Sequence, residues 1–352
     1  MLRNLVYFII ASTALTAAPL SADVTLGETR YFKNWAAGCD NGLACEAVAM
    51  LPPDLPEGML SLVLSRSAGK VADLKINIFG FDSQSDRYQL LVDGVVADTG
   101  PITKNIAPIE VAGKDALKLA RAMVRGREAI LLDGAGKNLG KISLAGSSAA
   151  LRYLDGKQRR AGTADAFAVR GKRKFRGVSL ALPVLNVPRI AAADDIPDAG
   201  ALVALAESGS CAGERIGVTQ DAVYGLGLSD GKPRALALIS CGSGAYNLSS
   251  VAYIGTKDGQ GKWKFEAAKF DYDSSYPSEK GDVNLIVNAD WDAAKQTLST
   301  FNKSRGVGDC GRSADYVWDG QLFRLTQARR MDECQGSVDW ITVWRANVKF
   351  AN

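Results

Sequence analysis

The residues best placed to do chemistry are the tryptophan–aspartate neighbours of the C-terminal half. They are Asp290-Trp291-Asp292, Trp318-Asp319 and Asp339-Trp340. An indole face stacks on the apolar face of a sugar ring, and a carboxylate beside it accepts hydrogen bonds from the hydroxyls. Asp290, Trp291, Asp292, Trp318, Asp319, Asp339 and Trp340 are therefore the candidate ligand-binding set. Two of these carboxylates, about 5–10 Å apart across a cleft, could also hydrolyse a glycosidic bond. The competing expectation is structural: strand-rich domains bury their tryptophans in the core, and aspartates start turns.

Other catalytic chemistries are mostly closed. The chain contains no histidine, which removes Ser-His-Asp and Cys-His nucleophiles, histidine general bases and histidine-ligated zinc. Ser67-Ala68-Gly69-Lys70 and Ser229-Asp230-Gly231-Lys232 match S-x-x-K, but S-D-N and K-T-G companions are missing and both stretches read as turns. The run from Gly134 to Gly140 resembles a phosphate loop, yet it lacks the G-K-[ST] ending and leads into a strand, so it reads as a hairpin turn. Asp271-Tyr272-Asp273 begins like a calcium loop without the Gly and Glu such a loop needs. The sequence assigns no catalytic residue, no metal site and no cofactor, and whether the chain is an enzyme is left open, leaning towards not.

The elements that must position these residues are short. In the N-terminal half, apolar or alternating patterns predict strands at 59–65 and 73–81, a hairpin over 88–98 turning at Asp93-Gly94, and further strands at 128–133 and 141–144. Leu117, Ala120, Met123 and Val124 recur at helical spacing within 114–125, and Ser147 could cap a second helix to Leu154. In the C-terminal half a helix at 201–207 precedes apolar runs at 235–239, 283–287, 316–318 and 340–344, separated by Asp-Gly turns. The expected fold class is α+β: an N-terminal β-rich domain with two short helices and a C-terminal, mostly-β, disulfide-stapled domain.

The six cysteines are Cys39, Cys45, Cys211, Cys241, Cys310 and Cys334. Their number is even and no C-x-x-C pair exists, which favours disulfides over metal. Six cysteines allow about 15 pairings. Their clustering favours Cys39–Cys45, Cys211–Cys241 and Cys310–Cys334 without selecting them, and Asp40-Asn41-Gly42 is a turn that would bring the first two together.

The first residues, MLRNLVYFIIASTALTAAPLSADV, have a positive start, an apolar stretch too short to span a bilayer and small residues before Asp23. They read as a signal peptide over 1–22, which places the mature chain outside the reducing cytoplasm, with no later segment apolar enough to span a membrane. Charge is uneven. Residues 156–199 carry 9 Lys/Arg against 4 Asp/Glu, whereas 23–155 and 200–352 are each one unit negative, so the excess positive charge beyond residue 22 resides in the middle. With Pro183, Pro188 and Pro197, that stretch reads as a basic linker between domains at 23–155 and 200–352. Its core, Arg170 to Arg176, is either a solvated surface or an anchor for anionic headgroups. Slightly acidic flanking domains argue against nucleic acid.

Three stretches carry a family resemblance. They are Trp35 through Cys39 to Cys45; Ser143-Leu144-Ala145-Gly146 with Ala150-Leu151 and Gln158-Arg159; and a C-terminal series. The series comprises Cys241 to Asn247, Asn288-Ala289-Asp290-Trp291, Gly308-Asp309-Cys310-Gly311, Trp318-Asp319-Gly320 and Glu333 to Trp340. Together the chain resembles the proteobacterial family called domain of unknown function 1176. Its first half also resembles the invasion-associated locus B family, exported β-rich proteins. The resemblance implies a Gram-negative periplasmic or envelope protein and supplies no catalytic residues. The leading expectation is a non-enzymatic binding protein, with an envelope glycan, lipopolysaccharide or another envelope protein as candidate partner. The alternative is a carboxylate-based hydrolase of envelope glycans.

Overall fold

The computed structural model describes residues 24–51, 58–69, 73–102, 108–190, 195–211, 215, 220–229, 231–272, 276–277 and 284–351. The leader at 1–22, Lys70, Asp230 and Asp273 lie outside them.

Alternating apolar residues build the first half. Its strands are β1 (Thr29–Tyr31), β2 (Trp35–Cys39), β3 (Cys45–Ala49), β4 (Ser61–Arg66), β5 (Leu74–Phe79), β6 (Arg87–Val92), β7 (Val95–Pro101) and β8 (Ile109–Ala112). Helix α1 (Gly113–Met123), β9 (Glu128–Asp133), β10 (Asn138–Ser143) and helix α2 (Ser147–Lys157) follow. One antiparallel sheet runs β1-β2-β3-β4-β5-β8 and a second runs β10-β9-β6-β7. A single core lies between them and the two helices. It takes Leu62 and Leu64 of β4, Ile76 and Ile78 of β5, Leu90 of β6, Leu119 and Met123 of α1, and Leu151 and Leu154 of α2. Fully burying such a side chain contributes about 1.5–3 kcal/mol.

The second half is β11 (Val184–Pro188), α3 (Ala199–Ser208), β12 (Ala222–Ser229), β13 (Lys232–Ser243), β14 (Leu248–Lys257), β15 (Trp263–Ala267), β16 (Tyr276–Pro277) and β17 (Asn284–Val287). It continues with β18 (Asp290–Asp292), β19 (Thr297–Lys303), β20 (Gly311–Trp318), β21 (Phe323–Met331), β22 (Ile341–Arg345) and β23 (Asn347–Ala351). Strands β12-β13-β14-β17-β16, with β15 beside β14, form one sheet, and β18 to β22 form another in sequence order. Leu226, Leu236, Leu238, Ala252 and Ile254 from the first meet Leu298, Tyr316, Phe323 and Leu325 from the second. Helix α3 packs Ala206 against the far side of β13 and β14, at Ala237, Ile239 and Tyr253. The whole is mostly β with three helices among the described residues, in line with the expected class.

Packing crosses both composition boundaries. Every residue of β2 is buried: Trp35, Ala37 and Cys39 face the N-terminal core, while Ala36 joins Val48 and Met50 in the C-terminal one. Small residues make this double burial possible. A Cβ at Gly38 would stand 2.7 Å from the Ile341 side chain, so β2 and β22 approach only because glycine is there. The Gly27 amide donates to the Val343 carbonyl at 2.8 Å, the Thr342 amide donates to Glu46 Oε2 at 2.7 Å, and Arg345 pairs with buried Asp40. The stretch read as a linker is also packed at both ends: Gln158, Arg160, Thr163 and Phe167 are buried, and β11 pairs in parallel with β23.

The three disulfides join the cysteines nearest in sequence: Cys39–Cys45, Cys211–Cys241 and Cys310–Cys334. The first closes the β2–β3 turn, where Asp40 Oδ1 accepts from the Gly42 and Ala44 amides. The second ties the end of α3 to β13, and the third ties the start of β20 to the segment before β22.

Candidate functional site

The structure distributes the seven candidate residues differently from a sugar site. Trp291, Trp318 and Trp340 are 5%, 3% and 7% exposed, so their rings belong to the core and offer no free stacking face. Trp291 meets Phe323 edge-on, Trp318 tilts against the same ring at 5.1 Å, and Trp340 stacks on Phe301 at 4.4 Å with its indole N–H donating to the Gly308 carbonyl. The stacking role therefore fails for these indoles; with hydrophobic surface to bury between two sheets, they fill the interior.

The four carboxylates are dispersed. Asp290 is exposed on β18 opposite Ser299. Asp292 accepts from the Lys295 amide and pairs with its ammonium at 2.8 Å, which holds the carboxyl below its usual range. Asp339 accepts from the Ser61 hydroxyl of β4 at 3.1 Å, and burial pushes its carboxyl up. Asp319 accepts from the Gln321 and Leu322 amides, both at 2.9 Å, and lies 3.6 Å from the Arg324 guanidinium. Each acid serves a different turn or strand contact, and of the four only Asp319 lines the cleft described next. The paired-carboxylate geometry of a glycosidase is not formed by them.

Trp318 and Asp319 border a cleft of about 740 Å³ between the two C-terminal sheets, the size of a small-ligand site. Its apolar wall is Leu226 of β12, Ile254 of β14, the edge of Trp318 at the end of β20, and Ile190 just beyond β11. A bulge shapes it: register shifts between Gly225 and Leu228, and Gly227 sits at φ 70°, where a side chain would be strained. The extra residue turns Leu228 outward, 70% exposed at the mouth.

The polar groups of the cleft are mainly cationic. Arg189, Arg234 and Lys269 line it against Glu266 and Asp319, and Asp319 is already engaged by two amides and Arg324. Arg189 lies 4.9 Å over the Phe350 ring of β23. Arg234 donates from Nη1 to the Thr256 hydroxyl at 2.6 Å, while its buried Nε has no hydrogen-bond partner among the described residues. An unmatched buried donor costs about 1–3 kcal/mol. The arrangement can bind an anionic group beside apolar surface; among the described residues it shows no hydrogen-bonded nucleophile–base pair. Sequence reasoning missed Arg189, Arg234 and Lys269, whose one signal was a basic residue just before the apolar run of β13.

The remaining motifs resolve as structure. Ser229 and Lys232 face each other across the β12–β13 turn, and Gly134 to Lys137 form the β9–β10 turn around Asp133 Oδ1. Asp271 pairs with Arg324 at 2.9 Å and accepts from the Leu325 amide; burial raises its carboxyl against those contacts. The one group of metal-ligand types among the described residues, Asp309 with Cys310 and Cys334, consists of a disulfide and a carboxylate paired with Arg305.

Comparison with known proteins adds three findings. A family model described as "Protein of unknown function (DUF1176)" matches residues 29–347. An uncharacterised protein of Escherichia coli (strain K12), YpfG, is 27% identical over 360 residues, covering 97% of each chain. The crystal structure of invasion associated protein b from Bartonella henselae aligns with 38% of this chain and 99% of its own, at 18% identity and a TM-score of 0.28. At that score the structural likeness carries no argument.

Proposed function

From the premise that this chain belongs to the family described as protein of unknown function (DUF1176), we propose that it is an exported, non-enzymatic binding protein of the cell envelope. Its ligand is a small molecule with an anionic group and an apolar face, held in the cleft between the two C-terminal sheets. The observation that carries this is the cleft itself: an apolar wall of Leu226, Ile254 and Trp318 beside three cationic side chains, Arg189, Arg234 and Lys269. Export to the periplasm is supported by the leader-like residues 1–22 and by all six cysteines lying beyond it in disulfides, which persist in oxidising compartments.

A binding role fits the chemistry better than hydrolysis. The cleft has one engaged carboxylate and one exposed one, and the chain has no histidine to act as base. Envelope glycans bearing acid groups and fragments of lipopolysaccharide match the required ligand chemistry. The test is a thermal-denaturation screen of the mature chain against acidic glycans and lipid fragments. A cognate ligand raises the melting temperature with concentration, by the equivalent of about 2.7 kcal/mol at a hundredfold excess over Kd, and Arg234→Met abolishes the rise. No concentration-dependent rise from any such compound, or an equal rise in Arg234→Met, rejects the reading.

A further inference from the structure

The basic segment that follows α2 is folded into a second site, remote in sequence from the cleft. Its foundation is a buried polar network. Asp155, at the C-terminal end of α2 and 0% exposed, accepts from Arg66 Nη2 at 3.1 Å and from the Phe167 and Ala168 amides at 3.1 and 2.9 Å. Arg66 lies 3.7 Å over the Phe167 ring and donates to Gln158, which donates in turn to the Leu43 and Arg66 carbonyls. Arg160, 2% exposed, donates to the Gly69 carbonyl at 2.6 Å and lies 3.8 Å over the Phe175 ring.

On this foundation the loop doubles back on itself. The Gly162 amide donates to the Val169 carbonyl at 2.6 Å, the Gly171 amide to Thr163 at 3.0 Å, and the Arg173 guanidinium to the Ala161 carbonyl. A Cβ at Gly171 would meet the Gly162 carbonyl oxygen at 2.3 Å, so glycine is required where the two limbs touch. The backbone that carries these cations is thus fixed by its own hydrogen bonds and a buried anchor, unlike a solvated tether.

They surround a concavity of about 600 Å³. Its lining includes Arg159, Arg173, Lys174 and Arg176, with Thr163 and Phe175, and contains no carboxylate among the described residues. None of the four cations has an ion-pair partner among the described residues. Gathering like charges on a rigid frame without counterions raises the free energy of the empty site, and a multivalent anion lowers it. Guanidinium forks match tetrahedral oxyanions bidentately.

We propose that this concavity is a preformed binding site for phosphate esters, taking a phosphomonoester or phosphodiester between Arg159, Arg173, Lys174 and Arg176. Lipid headgroups and free phosphate esters share that chemistry, and one experiment separates them. The disulfide-bonded mature chain is titrated at low ionic strength with phosphatidylcholine vesicles, with vesicles containing phosphatidylglycerol, and with glycerol phosphate. The same titrations are run on Lys174→Glu/Arg176→Glu and on the conservative Lys174→Arg/Arg176→Lys pair. Both positions are exposed and make no hydrogen bond among the described residues, so an unchanged melting temperature certifies the fold of each variant.

The expected result is binding to phosphatidylglycerol vesicles or to glycerol phosphate, weakened about thirtyfold or more by the charge reversal and kept by the conservative pair. Binding confined to vesicles assigns the site to a lipid surface; binding of glycerol phosphate assigns it to free esters. No binding to either probe, equal binding by the charge-reversed variant, or binding of polyglutamate in place of both phosphate probes overturns the proposal.

Discussion

At the scale of single residues, two acids at packed junctions contribute in different ways. Glu46 reaches from β3 to β22, accepting from the Thr342 amide, and burial holds its carboxyl above the usual carboxylate range. The folded state therefore keeps its proton more tightly than the unfolded chain. Its contribution is complete below the unfolded value and is lost as pH rises through the folded one. Glu46→Gln keeps an acceptor for Thr342 and removes the titration. It should melt higher than the parent at about pH 8 and gain nothing at about pH 4, as a pair of denaturation curves would show. Asp155 acts through its bonds instead: it accepts three hydrogen bonds, from Arg66, Phe167 and Ala168, that frame the basic loop, and burial lowers the Arg66 guanidinium to about 10 despite that partner. Asp155→Ala leaves Arg66 buried and unpaired, so urea denaturation should report a loss of about 3–5 kcal/mol. An unchanged midpoint would mean the network is not formed.

At the scale of elements, legibility followed the number of buried faces. Strands β4, β5 and β6 have one buried face, and their alternation is plain in Leu62-Val63-Leu64 and Leu74 to Phe79; α1 and α2 likewise show their apolar stripes. Strand β2, Trp-Ala-Ala-Gly-Cys, is buried on both faces by small residues and so carries no alternation. Strands β19 and β21 were missed because serines, threonines and arginines interrupt their apolar positions: β21 reads Phe-Arg-Leu-Thr-Gln-Ala-Arg-Arg-Met. The candidate site was legible only at Trp318 and Asp319, because proximity in sequence predicted neither which indoles are interior nor that Arg189, Arg234 and Lys269 converge from three elements. The disulfides act at this scale too. Cys310–Cys334 spans 24 positions and Cys39–Cys45 spans 6. In the chain-entropy model their removal as Cys→Ser pairs costs about 3.5 and about 2.5 kcal/mol. Equilibrium denaturation should rank them in that order; the reverse order would show that native contacts, and not loop closure, dominate.

At the scale of the whole molecule, the sheet holding β2 and β3 is common to both cores, so the halves share their stability. Ile341 is fully buried against Gly38 in that shared layer. Ile341→Ala should cost about 2–5 kcal/mol and lower a single calorimetric transition; a split into two transitions would show that the halves fold independently. The same junction holds the second C-terminal sheet in position to form one wall of the cleft, which connects the fold to binding. The claim on which the account rests is that an exported, oxidised chain carries a ligand at Arg234. Native mass spectrometry of the protein released from the periplasm of its own host tests it directly. The expected species is a chain beginning near Asp23, six hydrogens lighter than its reduced form because of three disulfides, with a bound small molecule that Arg234→Met lacks. An unprocessed chain with free thiols, or an adduct that Arg234→Met retains in full, would contradict it.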